Sequence, residues 1–501
     1  MSSPDIVIIG SGMGGATLAA GLAGSGARVL VLERGQRIAD TPETRDARAI
    51  FQRGHYRPRE TWYDQHGNPF NPGNYYYVGG NTKLYGAVLI RYRKEDFAEL
   101  EHDGGVSPAW PFPYEELEPW YSRAETLYRV RGALGEDPTE PVHSAEYPFP
   151  PVPDEAPIAQ ARAELKAQGL HPFSLPLGVD HAMWLKRAAT GWDAHPDSFT
   201  GKMDAETCGL SRALQDPNIT LETGAEVTRL ETDAAGKRIA AVHYKKDGVE
   251  HRLAPKLVVL AAGAVMSAVL LLRSGDGKNP RGLANASDQV GRHFMNHNTS
   301  AVLAIDPRRR NTCVYQKTIG FNDFYLSDGN GGRPLGNVQL LGRVTGPILK
   351  ANIQWAPEWA LSIMSGHAID WYGMSEDLPN PDSRVRVDGD RIVLDWQRSN
   401  MGPHNRLVAK MKEIFRAAGY PIALSRPFDR KVVSHQCGTV RMGNDPAKAA
   451  LDPFCRAFDH DNLFVVDAGF LPNSAAVNPS LTVAAQALRV ADHIRSRDLA
   501  A

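Results

Sequence analysis

The sequence predicts an α/β chain. One parallel sheet is assembled from segments far apart, and an α+β unit built on a large antiparallel or mixed sheet fills the intervals. Three observations predict it. A strand, glycine loop, helix and second strand open the chain. Two later segments, 257–277 and 462–494, each read as an apolar strand followed by a helix. The stretches between carry most of the tryptophans and alternate polar with apolar residues. With 501 residues there is length for two or three units with cores of their own.

The opening unit is "DIVIIGSGMGGATLAAGLAGSGARVLVLERG". "DIVIIG" is short, almost wholly apolar and rich in β-branched residues, as befits a central parallel strand covered on both faces. Gly10, Gly12 and Gly15 form G-x-G-x-x-G, with Gly14 beside them. The first glycine permits a tight turn, the second lets the backbone approach a diphosphate, and the third lets helix pack on strand. Free N–H groups and the positive dipole end of the following helix suit phosphates. Glu33 ends the next strand, 18 residues beyond Gly15, where a carboxylate reaches ribose hydroxyls. The unit reads as Rossmann-like dinucleotide binding. Glu33 opposes a 2′-phosphate, so NADP fits least, while NAD and FAD both remain open at this point.

Three further segments favour FAD. "VGGNTKLYGAVLIRYR" (78–93) joins a glycine pair and small polar residues to a basic end. "LVVLAAGAVMSAVLLLRSGDG" (257–277) is a buried strand, an Ala-Gly-Ala turn and an apolar helix. "NLFVVDAGFLPNSAAVNPSLTVAAQALRVADHI" (462–494) is a strand ending on Asp467, a loop, and a long helix. Strands so far apart in one sheet imply a discontinuous domain able to wrap an extended FAD. We divide the chain into 1–95, 205–297 and 430–501 for that domain, and 96–204 and 298–429 for the substrate unit.

These segments, with "SHQCGTVRMG" (434–443), resemble the glucose–methanol–choline (GMC) family of flavin oxidoreductases. The likeness covers the N-terminal fifth, the region 205–297 and the last seventy residues. Within the family, "HQCGT" looks most like the sugar-oxidising branch that includes bacterial pyranose oxidases and glycoside 3-oxidases. Ala268 stands where the second family signature usually has proline, and Asp276 where it usually has an aliphatic. Tyr85 replaces a common asparagine in the flavin-facing loop.

The resemblance implies FAD contacts at Gly10, Gly12, Gly14, Gly15, Glu33, Arg34, Gly80, Asn81, Thr82, Val227, Ala262, Gly263, Asp467, Ala468, Asn478, Pro479 and Ser480. Some sugar-oxidising members carry FAD covalently on a histidine of the flavin-facing loop. Here Leu84 holds that place and no histidine lies between Gly79 and Arg93, so non-covalent FAD is expected.

Oxidising an alcohol by hydride transfer to flavin N5 requires a base for the hydroxyl proton and a second polar group to aim the C–H bond. By resemblance these are His435 and Asn478. An amide takes up no proton near neutrality, so His435 carries the proton and Asn478 positions. The helix after Asn478-Pro479 offers its N-terminus to the negative charge of a reduced flavin. "VYQKTIGFNDFYL" and "GNVQLLGRV" read as strands that bring Gln316, Asn322 or Gln339 to the substrate. The expected reaction is oxidation of a secondary ring hydroxyl of a sugar or glycoside to a ketone. Alternatives are a non-sugar primary alcohol, of choline or aryl-alcohol type, and a flavin-binding electron-transfer protein without alcohol chemistry. The electron acceptor is O2 or another soluble acceptor.

Other classes fare worse. A net charge of −1, from 56 basic and 57 acidic residues, gives no basic surplus for nucleic acid or an anionic membrane. The four cysteines form no CxxC pair, and no signal segment or long apolar run is visible, so a cytoplasmic protein is expected. Cys437 lies two residues from His435, a spacing that suits activation by neither strand nor helix, and reads as packing. His293 and His297 are four apart but lack the glutamate and third ligand of a zinc site, so no metal is expected and the segment reads as a structural joint between the units. The proline-rich stretch 137–157 reads as an extended surface connection, a mobile flap or an oligomer contact.

Overall fold

A computed structural model describes residues 3–187, 191–196, 201–431 and 435–500. Ser434, at the head of the histidine segment, lies outside them.

Strand β1 (Ile6–Ile9) is at the centre of a five-stranded sheet and its side chains are at most 5% exposed. It pairs in parallel with β2 (Val29–Glu33) on one side and with Leu257–Leu260 on the other. Ile219–Thr223 extends the sheet beyond β2, and Leu463–Val465 extends it beyond Leu257–Leu260. Every pairing is parallel, so both faces must be covered, which explains the unbroken apolar runs. From β1 the chain first builds outward through β2 and then returns to build on the opposite side. The direction of winding therefore reverses between β1 and Leu257–Leu260, the place where open α/β sheets bind ligands.

Helix α1 (Met13–Leu22) links β1 to β2 and packs on the C-terminal helix Ser480–His493. Their approach is close enough that a methyl group on Gly21 would lie 2.6 Å from Ala491 Cβ. This explains the run of small residues in "GGATLAAGL".

A second sheet has six strands, all paired antiparallel. Their order is Ile422–Pro427, Asn298–Ile305, Ala368–Ser375, Asn337–Leu340, Ile319–Phe321 and Phe173–Ser174. Its strands come from 96–204 and 298–429, and those of the parallel sheet from 1–95, 205–297 and 430–501. A small four-stranded sheet ties Trp62–Asp64 and Pro69–Phe70 to Arg384–Asp388 and Arg391–Asp395, and so crosses that division. The proline-rich connection is anchored to the body. Asp137 pairs with Arg93, and Asp154 accepts from Arg162 and Thr318. Among the described residues no helix is long and apolar enough to cross a membrane.

Candidate active site

The C-terminal ends of β1, β2, Leu257–Leu260 and Leu463–Val465 open into one cleft with about 1590 Å³ of space free of protein atoms, the open solvent at its mouth included. Gly10, Gly12, Gly14, Glu33, Arg34, Gly80, Asn81, Thr82, Val227, Ala262, Gly263, Asp467, Ala468, Pro479 and Ser480 all line it, as does His435 at one end. Gly15 supports the wall from behind, because a Cβ there would lie 2.0 Å from Gly10 O.

The glycines divide by what needs them. Gly10 has φ +102°, and a Cβ there would lie 2.4 Å from Ala261 O; one at Gly14 would lie 2.0 Å from Val466 O. Those two, with Gly15, are demanded by the protein's own packing. A Cβ at Gly12 would meet nothing within 4 Å, and its backbone is extended, at φ −69° and ψ −169°. No protein atom requires the bare Cα at Gly12, which leaves that side of the cleft open, the fit expected for a diphosphate over the helix N-terminus.

Other features of the lining fit FAD as well. Gln436 Nε2 is buried at the histidine end without a hydrogen-bond partner among the described residues, a donor suited to a carbonyl or ring nitrogen of the flavin. Glu33 accepts from Ser11 N (3.0 Å), Ser11 Oγ (2.7 Å) and Gly35 N (2.8 Å). About one of its four lone-pair sites is left for ribose. Sequence reasoning missed Ser11, whose hydroxyl also accepts from Gly79 N (3.0 Å) and so locks the flavin-facing loop to the glycine loop. Asp467 is held by Ser267 Oγ, Gly263 N (3.1 Å) and Gly469 N (2.8 Å), and burial raises its pKa. Tyr85 turns away and donates to Met203 O (2.7 Å).

His435 is placed by a ribbon, 435–442, laced between two neighbours. Cys437 exchanges backbone hydrogen bonds with Met295, while Gly438, Val440 and Met442 donate to Ala468, Gly469 and Phe470. Gly438 has φ +84°, and a Cβ there would lie 2.4 Å from His293 O, so this glycine lets the ribbon pass. Cys437 is 1% exposed and its thiol pKa is raised by burial, which fits packing and opposes thiolate chemistry.

The imidazole of His435 joins a hydrogen-bonded series. Its Nε2 lies 3.4 Å from Asn478 Nδ2, and Asn478 Oδ1 accepts from Gln339 Nε2 (3.1 Å). Its Nδ1 lies 2.8 Å from Nδ1 of His297, whose Nε2 lies 2.8 Å from the Ser474 carbonyl. His435 N also donates to Asn296 Oδ1 (3.1 Å). Burial, then His297, then the Lys317 ammonium hold the pKa of His435 well below the usual histidine value. The imidazole is therefore neutral at pH 7, with a lone pair on one ring nitrogen.

His297 ends the segment that leads from the parallel-sheet unit into Asn298–Ile305 of the antiparallel sheet, as its reading as a joint expects, and the series adds a contact to His435. It is buried edge-on against His435, with ring centroids 4.9 Å apart. The four-residue spacing to His293, read as no metal site, gave no sign of the partner 138 positions away. Among the described residues no group of three metal-binding side chains occurs.

The three amides divide too. Gln339 reaches the His435–Asn478 pair through Asn478 Oδ1. Gln316 does not: its amide donates to Leu341 O and Asp370 and accepts from Asn311. Asn322 donates to Asp137 and accepts from Asn337. Both lie in turns flanking the strand Ile319–Phe321, so strand alternation does not aim them at the site.

Comparison with known proteins shows the family and the fold. Residues 379–487 match the GMC oxidoreductase family, and residues 5–284 match the FAD dependent oxidoreductases. The chain is 30% identical to a 6'''-hydroxyparomomycin C oxidase of Streptomyces lividus, over 98% of this chain and 91% of that one. It is also 30% identical to a paromamine 6'-oxidase of Streptomyces fradiae, over 97% and 90%. Its fold matches the crystal structure of a pyridoxine 4-oxidase from Mesorbium loti with a TM-score of 0.68, at 21% identity over 99% of both chains.

Proposed function

The chain belongs to the GMC oxidoreductase family of FAD-dependent enzymes, and on that premise we propose that it oxidises a hydroxyl of a sugar or glycoside with His435 as the base. The observation that carries this reading is the neutral His435–Asn478 pair at the end of the cofactor cleft, with Gln339 behind it. Bound FAD, held non-covalently, supplies the two-electron acceptor. Glu33 and the N-terminus of α1 would hold its adenosine and diphosphate portions, and Gln436 and the N-terminus of Ser480–His493 its flavin portion. His435 takes the hydroxyl proton at Nε2. Asn478, oriented by Gln339, donates to the same oxygen and fixes its position. Neutrality of His435 is what makes this work at pH 7, since a protonated imidazole has no lone pair to offer.

The hydroxyl is either a secondary one on the ring, giving a ketone, or an exocyclic one, giving an aldehyde. The second reading is favoured by the names of two relatives, which place their oxidations at 6' and 6'''. Anaerobic mixing of the yellow protein with methyl glucoside and with paromamine tests the class, and bleaching is expected with one of them. NMR of the product separates ketone from aldehyde. An unbleached flavin with every sugar and glycoside offered would overturn the reading. Peroxide formation in air identifies an oxidase, and flavin released on denaturation identifies non-covalent attachment.

A further inference from the structure

We infer that His297 is a positioning residue that decides which nitrogen of His435 carries the proton, leaving Nε2 bare toward Asn478 and the substrate. The inference rests on the reading of His435 as the base.

One group in the series has a protonation state that is not in question. The Ser474 carbonyl is fully buried and can only accept. It takes one hydrogen bond from Tyr92 Oη (3.0 Å) and faces His297 Nε2 at 2.8 Å. His297 is 1% exposed, and its burial disfavours the charged form. A neutral His297 with its proton on Nε2 has a lone pair on Nδ1. That lone pair faces His435 Nδ1 at 2.8 Å, so the proton between them belongs to His435. His435 then has no proton left for Nε2.

The other end of the series agrees. Gln339 donates to Asn478 Oδ1, which turns the Asn478 Nδ2 donor to the bare nitrogen. Turning both amides over would put a proton on His435 Nε2. His297 would then have to protonate Nδ1 and set a lone pair of Nε2 against the carbonyl, two acceptors at 2.8 Å. The carbonyl forbids that arrangement, and the series has one consistent direction. Such control of tautomer by the group behind a catalytic imidazole is a general device. The 3.4 Å gap between Asn478 Nδ2 and His435 Nε2 is loose for a hydrogen bond, and a substrate oxygen entering there would contact both.

The test uses FAD-loaded protein with ¹⁵N-labelled histidine, read by two-bond ¹H–¹⁵N correlation spectra. His435→Ala assigns the resonances. His435 is expected to be protonated at Nδ1 and bare at Nε2. His297→Phe keeps the ring and removes the acceptor; that preference is then lost, and kcat falls about 100-fold while KM stays within about threefold. His297→Gln restores an acceptor and returns kcat to within about tenfold of wild type. A wild-type His435 protonated at Nε2 overturns the inference. So does a wild-type kcat in His297→Phe, or no gain from His297→Gln over His297→Phe at equal FAD content. If neither variant holds FAD, the wild-type spectrum decides alone. Full turnover in His435→Ala would instead remove the base assignment, while the spectrum would still report the tautomer.

Discussion

The two ends of the cleft are built in opposite ways. The diphosphate end is local: Gly10 to Gly15 and Glu33 belong to one strand–helix–strand unit. The histidine end is assembled from four places in the chain, His297, Gln339, His435 and Asn478, and no two of them share an element of secondary structure. A local site is fixed once its own unit folds. An assembled site depends on both large sheets docking correctly, because Gln339 sits on the antiparallel sheet and Asn478 beside the parallel one. Damage at the first end should therefore weaken cofactor binding or folding, and damage at the second should spare both and stop turnover.

The largest effect tests that division directly. His435→Ala is expected to lower kcat about 100-fold or more, with FAD content and melting temperature close to wild type. Unchanged turnover with FAD bound would break the comparison. In the intact protein, kcat/KM should stay flat as pH falls through 6.5 and decline only as pH passes through the lowered pKa of His435. The sign of the stability change agrees. A histidine whose folded pKa lies below its unfolded value binds fewer protons when folded, so its contribution to stability is lost as pH falls. An acid limb near 6.5 in the pH–rate profile would remove the claim that burial keeps this imidazole neutral.

This division also explains what the sequence revealed. The glycine loop, Glu33 and the parallel strands were legible because spacing along one unit dictates their geometry. Asp467 and Ala262 were legible as strand ends on the same sheet, where position in a strand fixes position in the cleft. His435 and Asn478 were named only through resemblance. His297 was missed because its partner lies 138 positions away, and no local period records that. Gln316 and Asn322 failed for a related reason: the strand between them is three residues long, and both fall in turns outside it. Three-residue strands carry too little alternation to aim their flanks.

Within the local end, two glycines sharpen the comparison. Gly14→Ala forces a methyl group against Val466 O and is expected to destabilise the protein by about 1–3 kcal/mol, seen as a lower denaturant midpoint with or without FAD. Gly12→Ala meets no protein atom and has a backbone that any residue adopts. The apoprotein should be as stable as wild type, and FAD should bind about tenfold more weakly, a loss of about 1.4 kcal/mol. A destabilised Gly12→Ala apoprotein would show that the protein itself needs this glycine, and the diphosphate reading of the open Cα would fall.

The smallest effects separate two glutamines that the sequence treats alike. Gln316→Ala leaves Asp370, Leu341 O and Asn311 short of partners in a fully buried place. Asp370 is already pushed up to about 7 by burial, so losing a donor costs it further. The expected loss is about 1–3 kcal/mol of stability with kcat unchanged. Gln339→Ala removes a single hydrogen bond to Asn478 Oδ1, worth about 1 kcal/mol, and frees the amide to turn. Its expected result is a kcat about fivefold lower, the fold-change of that same energy, with little change in melting temperature. If the two variants exchanged behaviour, with Gln316→Ala slowing turnover and Gln339→Ala only softening the fold, the substrate side of the histidine end would have to be redrawn around Gln316.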